Sequence, residues 1–520
     1  MKTVLFILAF ALLSFPTISQ NSFDKTFGEN GVLLTTYGFH QSLKNFVYIL
    51  DTLPNEQIMM GGLSGGDIVL AKINNDGTLD DTFGEEGIAL YSPPFDYNYL
   101  GDFDIQTDND GRILILGSSV SYGGYDPTTW VVRFNPDGRL DEEFAPFGFE
   151  YLEVGQGFGV SEPEAVIVQP DGKFVIAGSA YTSGWSGFVK RYHPSGEPDS
   201  TFGINGYLDV EFGTTDQTKL GAVSLLSDGK FMVGGYRLTR LNPDGSTDMT
   251  FGNSGLVDPG FQIQSLVIQP DGKILIVGNP GYITKIMRYH SDGTIDLSYG
   301  ENGQITVQAG AAKRMIEQII LQPNGKLVAV GGITLPEKTY YSPDISTILR
   351  FTKDGKLDED FDGDGIAETD LRAEKSESAT CATILPDGKI LAGGYVYEQW
   401  YRSDFTLMRF VSDEKEDIDP SNEGMDSIEI IVPEKETFLF PNPVIDAATL
   451  YYYQPKFGKV SIHLYANDGK LLHTFIKDQF RDEGQHKELL EWPIGVHSGV
   501  YLIVVASKDR QIGVTVFHKN

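Results

Sequence analysis

Cysteine is nearly absent from this chain of 520 residues, in which Cys381 is the single example. One thiol excludes an intramolecular disulfide framework, so packing alone must stabilise the fold. Basic residues are also scarce, because 40 lysines and arginines face 72 aspartates and glutamates, a formal net charge of −32. Contacts with phosphate groups need a basic surface, so this charge argues against a nucleic-acid-binding protein.

Long apolar runs are rare as well. The most pronounced apolar run lies between Val4 and Leu13, after Lys2, and small residues follow it up to Ser19. Such a run is too short to span a bilayer. A basic start, an apolar centre and small residues predict a secretory signal peptide over residues 1–19. We therefore expect export, no transmembrane segment, and a location that is secreted or attached to the cell surface.

Helical periodicity is nearly absent from residues 20–411, where short strand-like runs repeat instead. Val166–Val168 is followed by Gln169-Pro170-Asp171-Gly172-Lys173 and then by Phe174–Gly178. Proline presets φ, aspartate bonds its own backbone, and glycine tolerates positive φ, so this pattern predicts a tight hairpin. Runs rich in β-branched residues on both sides predict antiparallel strands.

A second phrase, Leu-Asp-x-Thr-Phe-Gly-x-x-Gly, follows each repeat and is clearest at Leu79–Gly87. A basic residue stands eight positions before the aspartate of this phrase. These pairs are Lys72 and Asp80, Arg133 and Asp141, Arg191 and Asp199, Arg240 and Asp248, Arg288 and Asp296, and Arg350 and Asp358. Asp24 opens a phrase without a basic residue before it, and Arg409 has no phrase after it.

Four short antiparallel strands in each repeat predict the blades of a β-propeller. The two incomplete ends favour a closed ring of seven blades over an open solenoid, because Arg409 and Asp24 complete one another. On this interpretation residues 31–36 form the outer strand of the last blade, whose other strands lie between Ala379 and Val411. Each basic residue is expected to tie the third strand to the corner before the fourth, which is a structural role.

The two phrases resemble the delta-60 repeats of exported bacterial proteins and, less closely, the NHL-type propeller blade. The resemblance covers residues 23 to about 411, and Phe144-Ala145-Pro146 departs from its pattern. It implies a fold and supplies no reaction. We therefore expect an all-β chain with a seven-bladed propeller over residues 20–411.

Residues 412–436 differ sharply, because they hold ten acidic residues against Lys415 and Lys435. This composition predicts a solvated, self-repelling linker. Residues 437–520 return to alternating apolar runs and turns, which predict a small C-terminal β-sandwich.

Three motifs of this C-terminal region resemble the sorting domain of the type IX secretion system. They are Pro441-Asn442-Pro443, Asn467-Asp468-Gly469-Lys470 and Ser498-Gly499-Val500-Tyr501. The resemblance implies export across an outer membrane by that machinery and removal of the domain at the cell surface. A general adhesion-like sandwich is the alternative.

A weak candidate metal site lies at Asp360, Asp362 and Asp364, which alternate before a glycine as oxygen ligands do in a calcium loop. Leu371 stands at the twelfth position, where such a loop needs glutamate, and the stretch coincides with the repeated phrase. We therefore expect no cofactor, and calcium stays open only as a minor alternative.

The connections between second and third strands vary in length, and we expect them to share one end of the propeller with the crossings between blades. We name this end the loop face. Variable loops on a rigid scaffold often carry function, and aromatic side chains are enriched at binding surfaces. The candidate ligand-binding residues are Tyr97, Tyr99, Tyr122, Tyr125, Tyr181, Trp185, Tyr340, Tyr341, Trp400 and Tyr401. Packing between the loops is an equally good explanation of them.

These observations predict a noncatalytic, exported protein that binds an extracellular glycan or protein through its loop face. The alternative is an extracellular carbohydrate-active hydrolase or lyase that uses acidic loop-face residues. An enzyme should bring two or three carboxylates, or a histidine, together in one pocket, whereas a binding protein should present a broad aromatic surface. A purely structural surface protein should show neither.

Overall fold

The structure is a computed structural model and is β-sheet almost throughout. It describes residues 22–35, 45–53, 57–64, 67–92, 97–108, 110–121, 127–145, 148–152, 161–181, 185–210, 219–307, 312–334, 345–372, 375–399, 402–411, 438–440, 447–454, 458–466, 470–481, 484–491, 499–507 and 510–519. A single 3-10 turn, Pro280–Tyr282, is the only helical element named among them. The strands belong to two compact units, which divide near residue 417.

The described residues of the first unit form seven four-stranded antiparallel sheets, none of which closes on itself. Strand β1 is Val32–Thr35. Sheet 1 contains β2 (Asn45–Thr52), β3 (Ile58–Ser64), β4 (Asp67–Ile73) and β5 (Ile88–Tyr91); sheet 2 contains β6 (Tyr97–Thr107), β7 (Ile113–Ser121), β8 (Pro127–Phe134) and β9 (Phe149–Leu152); sheet 3 contains β10 (Ser161–Val168), β11 (Phe174–Tyr181), β12 (Trp185–Tyr192) and β13 (Tyr207–Val210).

The next sheets repeat this order. Sheet 4 contains β14 (Ala222–Leu225), β15 (Phe231–Gly234), β16 (Leu238–Leu241) and β17 (Leu256–Val257); sheet 5 contains β18 (Ser265–Ile268), β19 (Ile274–Gly278), β20 (Thr284–Tyr289) and β21 (Gln304–Val307); sheet 6 contains β22 (Lys313–Leu321), β23 (Leu327–Thr334), β24 (Ile345–Phe351) and β25 (Ile366–Thr369). Sheet 7 combines β26 (Glu377–Ile384), β27 (Ile390–Gln399) and β28 (Arg402–Phe410) with β1.

The hairpin turn predicted from Pro-Asp-Gly forms through local bonds, as sheet 3 shows. The Gln169 N–H donates to the Lys173 carbonyl oxygen at 2.7 Å, and the Gly172 N–H donates back to the Gln169 carbonyl oxygen at 2.9 Å. Asp171 Oδ1 accepts a bond from the Lys173 N–H at 3.1 Å. Gly172 has a φ of 81°, which a residue with a Cβ rarely adopts. The five residues therefore encode the turn without help from distant parts of the chain.

A glycine recurs near the end of the second strand because the first strand bulges beside it. In sheet 3 the register shifts between Pro163 and Ala165. A Cβ added to Gly178 would lie 2.4 Å from the Glu162 carbonyl oxygen. Gly331 in sheet 6 is similar, since its added Cβ would lie 2.0 Å from a backbone oxygen. Close backbone approach explains the glycines that end these apolar runs.

Neighbouring sheets share hydrophobic cores made by their first, second and third strands. Met59 of sheet 1 and Ile115 of sheet 2 belong to one such cluster. Val47 of sheet 1 is buried in another cluster with Cys381 and Leu391 of sheet 7. The first and the last sheets of the unit therefore bury apolar surface against each other, as sequential sheets do.

The second unit contains a three-stranded and a four-stranded antiparallel sheet. Its strands are β29 (Phe438–Phe440), β30 (Ala447–Gln454) and β33 (Gly484–Glu491) in sheet 8, with β31 (Gly458–Ala466), β32 (Leu471–Arg481), β34 (Gly499–Ser507) and β35 (Arg510–Lys519) in sheet 9. Leu450 and Leu490 of sheet 8 share a buried cluster with Ile462 and Ile503 of sheet 9. The two sheets thus bury one core between them.

The prediction of an all-β chain with four-stranded antiparallel sheets is confirmed. The outer strand of sheet 7 is Val32–Thr35, slightly shorter than residues 31–36, and its first strand begins at Glu377, two residues before Ala379. The predicted signal peptide and acidic linker lie outside the described residues. No helix within the described parts of the chain is long and apolar enough to cross a membrane.

Candidate loop-face binding site

The repeated arginine and aspartate pairs form links from one sheet to the next. Arg191 Nε lies 2.8 Å from Asp199 Oδ2, and the guanidinium lies 4.8 Å from the ring centroid of Phe202. Arg191 Nη1 also donates to the carbonyl oxygen of Pro243, in a turn of sheet 4, at 2.6 Å. Arg191 therefore pairs with an aspartate of its own sheet, stacks on the aromatic residue of the repeated phrase and donates a hydrogen bond to the following sheet.

The same Nε to Oδ2 contact recurs in the other repeats. The distances are 2.7 Å for Arg133 and Asp141, 2.8 Å for Arg240 and Asp248, 2.8 Å for Arg288 and Asp296, and 2.5 Å for Arg350 and Asp358. Lys72 Nζ lies 3.1 Å from Asp80 Oδ2 in sheet 1. This geometry occupies the guanidinium groups inside the scaffold, which assigns the pairs a structural role.

Arg409 and Asp24 make the corresponding contact between the two ends of the unit, at 2.7 Å. Arg409 Nη1 donates to the carbonyl oxygen of Asn75 in sheet 1, and its guanidinium lies 4.6 Å from the centroid of Phe27. The N-terminal phrase thus contacts sheet 1 as the phrase of sheet 3 contacts sheet 4.

The carboxylates of Asp199 and Asp296 are held ionised. Burial raises the pKa of Asp199, but the Thr201 hydroxyl, Lys173 and Arg191 outweigh burial and lower it well below its usual range. For Asp296, burial opposes the Ser298 hydrogen bonds and Arg288, and the resulting pKa is about 2. These groups are permanent anions at neutral pH and cannot act as general acids there.

Most of the aromatic candidates lie where the structure does not describe side chains. Tyr122, Tyr125, Tyr340, Tyr341, Trp400 and Tyr401 are outside the described residues, and only the backbone is described for Tyr97, Tyr99 and Tyr181. Trp185 is the candidate whose side chain is described. It pairs across the hairpin with Tyr181, so the two residues flank the loop-face end of sheet 3.

Trp185 is half-buried beneath a lysine from the next crossing. Lys219 Nζ lies 4.2 Å from the Trp185 ring centroid, and it also donates to Glu162 Oε2. Gln262, from the crossing into sheet 5, donates to the Lys219 carbonyl oxygen at 3.0 Å. A ring, a cation, a carboxylate and an amide therefore meet at the loop-face ends of sheets 3 to 5.

Two further aromatic side chains on this face were not predicted. Tyr236 lies in the short turn between the second and third strands of sheet 4, and Tyr282 lies in the corresponding connection of sheet 5. They are 47% and 39% exposed. Lys313 Nζ lies 4.3 Å from the Tyr282 ring centroid. The sequence signal was present, because both tyrosines follow the glycine that ends a second strand, but these loops are too short to stand out by length.

A cluster of four aromatic rings joins the loop-face ends of sheets 1 and 7, and we name it the seam cluster. It consists of Phe46, Tyr48, Tyr395 and Tyr397, all of which are half-buried. The Phe46 ring lies 4.8 Å from that of Tyr395 in an edge-on arrangement, and Tyr395 lies 5.4 Å from Tyr397. Edge-on and offset rings at such distances stabilise one another while leaving part of each surface to solvent.

The described carboxylates with raised pKa values are spread over the unit. Burial raises the pKa of Asp104 to about 7, although the Val166 and Ile105 backbone N–H groups donate to it. Burial likewise raises the pKa of Glu377 to about 7 against bonds from Leu371 and other donors. Each carboxylate already accepts backbone bonds, and Val166 belongs to the sheet after that of Asp104. Asp104 and Glu377 therefore stabilise the scaffold by accepting these backbone hydrogen bonds.

No three histidine, cysteine or acidic side chains converge on a metal-sized site among the described residues. Asp360 and Asp364 are exposed, and Asp364 Oδ1 accepts the Ile366 N–H at 2.9 Å, as in a turn. Asp362 has a φ of 51° at the position that glycine takes in most other phrases and that Ala145 takes in one. The three aspartates therefore follow the repeated corner, and the geometry gives no support to calcium there.

A cleft of about 190 Å³ lies away from the loop face, between the outer part of sheet 3 and sheet 4. It is lined by Leu208, Val210, Met249 and Leu256 among others, with Asp209 as its acidic residue. One carboxylate in a shallow apolar cleft cannot supply paired acid and base catalysis.

Five segments of the chain match the model of a family described as "Domain of unknown function (DUF5122) beta-propeller". They are residues 54–83, 109–144, 169–202, 226–251 and 269–299. Each segment ends at the aromatic residue of the repeated phrase, which the preceding arginine covers in sheets 2 to 5. The segments that the family model matches therefore end at the ring that contacts the repeated arginine in sheets 2 to 5. No curated protein matches the chain.

Solved structures of similar topology have low sequence identity. A protein of unknown function from Bacteroides caccae is 13% identical, covering 63% of this chain and 99% of its own, with a TM-score of 0.31. A protein of unknown function from Dyadobacter fermentans is 11% identical, covering 73% and 99%, with a TM-score of 0.40. An alpha-L-arabinanase from Penicillium chrysogenum, complexed with arabinobiose, is 11% identical, covering 73% and 95%, with a TM-score of 0.39. With its four-stranded sheets and the five family matches, the chain is a β-propeller protein.

Proposed function

We propose that this protein is an exported, noncatalytic seven-bladed propeller that binds an extracellular glycan through its loop face. The seam cluster carries the proposal. Half-buried tyrosine and phenylalanine rings stack on the apolar faces of sugars, and their fixed geometry lowers the entropy cost of binding. A protein ligand is the other outcome that binding experiments can distinguish.

Closure into a seven-bladed ring is part of the proposal, because it brings Phe46 and Tyr395 onto one surface. It is supported by the seven four-stranded sheets, by the pairing of Val32 with Met408, and by the contact of Asp24 with Arg409. A sheet completed by the chain's own N-terminal strand leaves no long unpaired edge at the junction.

A hydrolase or lyase is less well supported. Asp104 and Glu377 have the raised pKa that a general acid needs, but both accept bonds from backbone N–H groups inside the scaffold.

The test is affinity electrophoresis of the full chain, without its predicted leader, through gels that contain single polysaccharides. Replacing Tyr395 and Tyr397 together by alanine should weaken the binding of any retarding polysaccharide at least tenfold. Met249→Ala is the matched control, because Met249 is 64% exposed and lies in a phrase at the other end of the sheets. If the double variant is retarded as the parent is, the seam cluster is not the site. If no polysaccharide retards the parent, the glycan proposal fails.

The export address is tested separately. We propose that residues 437–520 direct the protein through the type IX machinery to the cell surface. In a host with that machinery, removal of residues 437–520 should leave a tagged propeller inside the outer membrane, where external protease cannot reach it. Surface exposure of the truncated protein would contradict this assignment.

A further inference from the structure

A second group of aromatic residues lies on the loop face, and basic residues accompany each of them. We name it the basic-aromatic patch, and it consists of Trp185, Lys219, Tyr236, Arg237, Tyr282 and Lys313. It spans the loop-face ends of sheets 3 to 6, because Lys219 precedes the first strand of sheet 4 and Lys313 is the first residue of the first strand of sheet 6. The seam cluster belongs to sheets 7 and 1 instead.

Described contacts join the neighbouring crossings beside the patch. Lys219 lies over Trp185 and is joined through its carbonyl oxygen to Gln262, in the crossing into sheet 5. Gln264 then lies 3.5 Å from Glu317 of sheet 6, through Nε2 and Oε2. These neighbouring crossings carry amide and charged groups between the rings, which is the mixture that polar ligands need.

The connections between the second and third strands of sheets 4 and 5 are short, so they project little from this part of the loop face. Residues 235–237 connect β15 to β16, and residues 279–283 connect β19 to β20. A Cβ added to Gly260 or Gly281 would contact nothing within 4 Å. An extended polymer could therefore approach Tyr236 and Tyr282 without displacing a loop among the described residues.

Contacts on this face hold the basic side chains in place. Lys219 donates to Glu162, and Arg237 Nε lies 3.5 Å from Asp258 Oδ2. An ammonium group has three N–H donors, so the bond from Lys219 to Glu162 does not use all of them. Lys313 is exposed beside Tyr282.

Lys219, Arg237 and Lys313 lie on this face of a chain that has a formal net charge of −32. Repulsion from the rest of the surface would oppose an anionic polymer, and the patch is where opposite charge can offset that repulsion. Ring faces stack on sugar rings, while adjacent cations attract anionic substituents.

We propose that the basic-aromatic patch binds an acidic polysaccharide, with sugar rings against the aromatic side chains and carboxylate or sulfate groups at Lys219 and Lys313. This inference rests on the proposed glycan-binding function and names the class of glycan. It also adds a second site, separate from the seam cluster.

The test uses affinity electrophoresis of the full chain with polygalacturonate, dextran sulfate and neutral dextran. We expect the parent to bind an acidic polymer, and replacing Lys219 and Lys313 together by glutamine to weaken that binding at least tenfold. Added salt should weaken the binding by the parent more than that by the double variant, because salt screens the charged contacts. Preference between polygalacturonate and dextran sulfate will identify the anionic group.

Two variants make the result specific. Tyr236→Ala with Tyr282→Ala should also weaken binding of the acidic polymer, because a patch that only attracts charge does not need the rings. Lys356→Gln is the matched control, since Lys356 is 79% exposed in a turn at the opposite end of its sheet, and it should leave binding unchanged. Unchanged binding by the Lys219 and Lys313 variant, or an equal loss with Lys356→Gln, would overturn the inference.

Failure of the basic-aromatic patch proposal can be distinguished from failure of the seam cluster proposal. If neutral dextran binds as strongly as both acidic polymers and the Tyr395 and Tyr397 variant abolishes its binding, the glycan-binding function stands and the acidic patch fails. If no polymer of either kind binds, both proposals fail.

Discussion

Arg409 and Asp24 come from opposite ends of the first unit, yet Arg409 Nε lies 2.7 Å from Asp24 Oδ2. The Asp24 N–H also donates to the Arg409 carbonyl oxygen at 2.9 Å. The same side-chain contact holds six other repeats together within continuous sequence. Arg409 and Asp24 therefore make, between residues far apart in sequence, the ion pair that residues eight positions apart make in the other repeats.

Replacing Arg409 by glutamine should destabilise the first unit by up to about 3–5 kcal/mol, because it leaves the buried Asp24 carboxylate with the partly exposed Lys389 as its remaining described cation. The Arg409 side chain is 2% exposed. The matched variant Lys72→Gln should cost only about 0–1 kcal/mol, because Lys72 is partly exposed to water in its pair with Asp80. Urea unfolding followed by tryptophan fluorescence measures both, and equal losses would contradict the assigned difference.

Cys381 can report on the packing between sheets 7 and 1, because it is buried there with Val47 and Leu391. Burial raises the pKa of its thiol to about 12. The thiolate is the reactive form, so a thiol reagent at pH 8 should label the native protein very slowly and the urea-unfolded protein at once. Arg409→Gln should speed native labelling. Immediate labelling of the folded parent would show that this core is open.

Stability should fall in acid because Asp199, Asp248 and Asp296 have lowered pKa values. Lys230 and the Thr250 hydroxyl lower that of Asp248 most, and Arg240 adds to the effect. The folded state therefore binds fewer protons than the unfolded state near pH 3, so the stabilisation present above the unfolded pKa of 3.8 disappears as pH falls through the folded value. Unfolding free energies measured from pH 7 to pH 2 should show this decline, and Asp248→Asn should make it shallower. An identical decline in the variant would remove Asp248 from the explanation.

Asp104 should act in the opposite direction, because burial raises its pKa to about 7 from 3.8. The folded state then holds a proton that the unfolded state has lost, so stability is greatest below pH 4 for this group and declines as pH rises to about 7. The contribution is at most about 1.4 kcal/mol per pH unit between those values. Asp104→Asn should flatten the stability curve between pH 4 and 7. An unchanged slope would mean that Asp104 is already ionised in the folded protein.

The proposed glycan-binding surface was only partly predictable from sequence. Trp185 was found because it lies in an aromatic connection between strands, but Tyr236 and Tyr282 lie in connections too short to attract notice. Phe46 belongs to a first strand, where an aromatic residue ordinarily indicates core packing. Its contact with Tyr395 depends on sheets 1 and 7 being neighbours, which the predicted ring implies, but no pattern around Phe46 indicates which side chain it meets there.

Local chemistry determined the strands, turns and corners of this protein. Proline, aspartate and glycine restrict φ and ψ over a few residues, so Gln169 to Lys173 closes its hairpin wherever the repeat stands, and the same holds for the phrase around Asp199. The spacing of arginine and aspartate is likewise a property of one hairpin and its corner, and it can be read without coordinates.

Tertiary structure alone decided which side chains meet between sheets and what their surroundings do to them. Asp104 has an ordinary position in a first strand, and its pKa is raised because the next sheet buries it and supplies the Val166 N–H. Lys219 lies over Trp185 because a crossing returns past the previous sheet. Short-range dihedral preferences cannot specify such contacts, since they arise only when separately encoded sheets pack together.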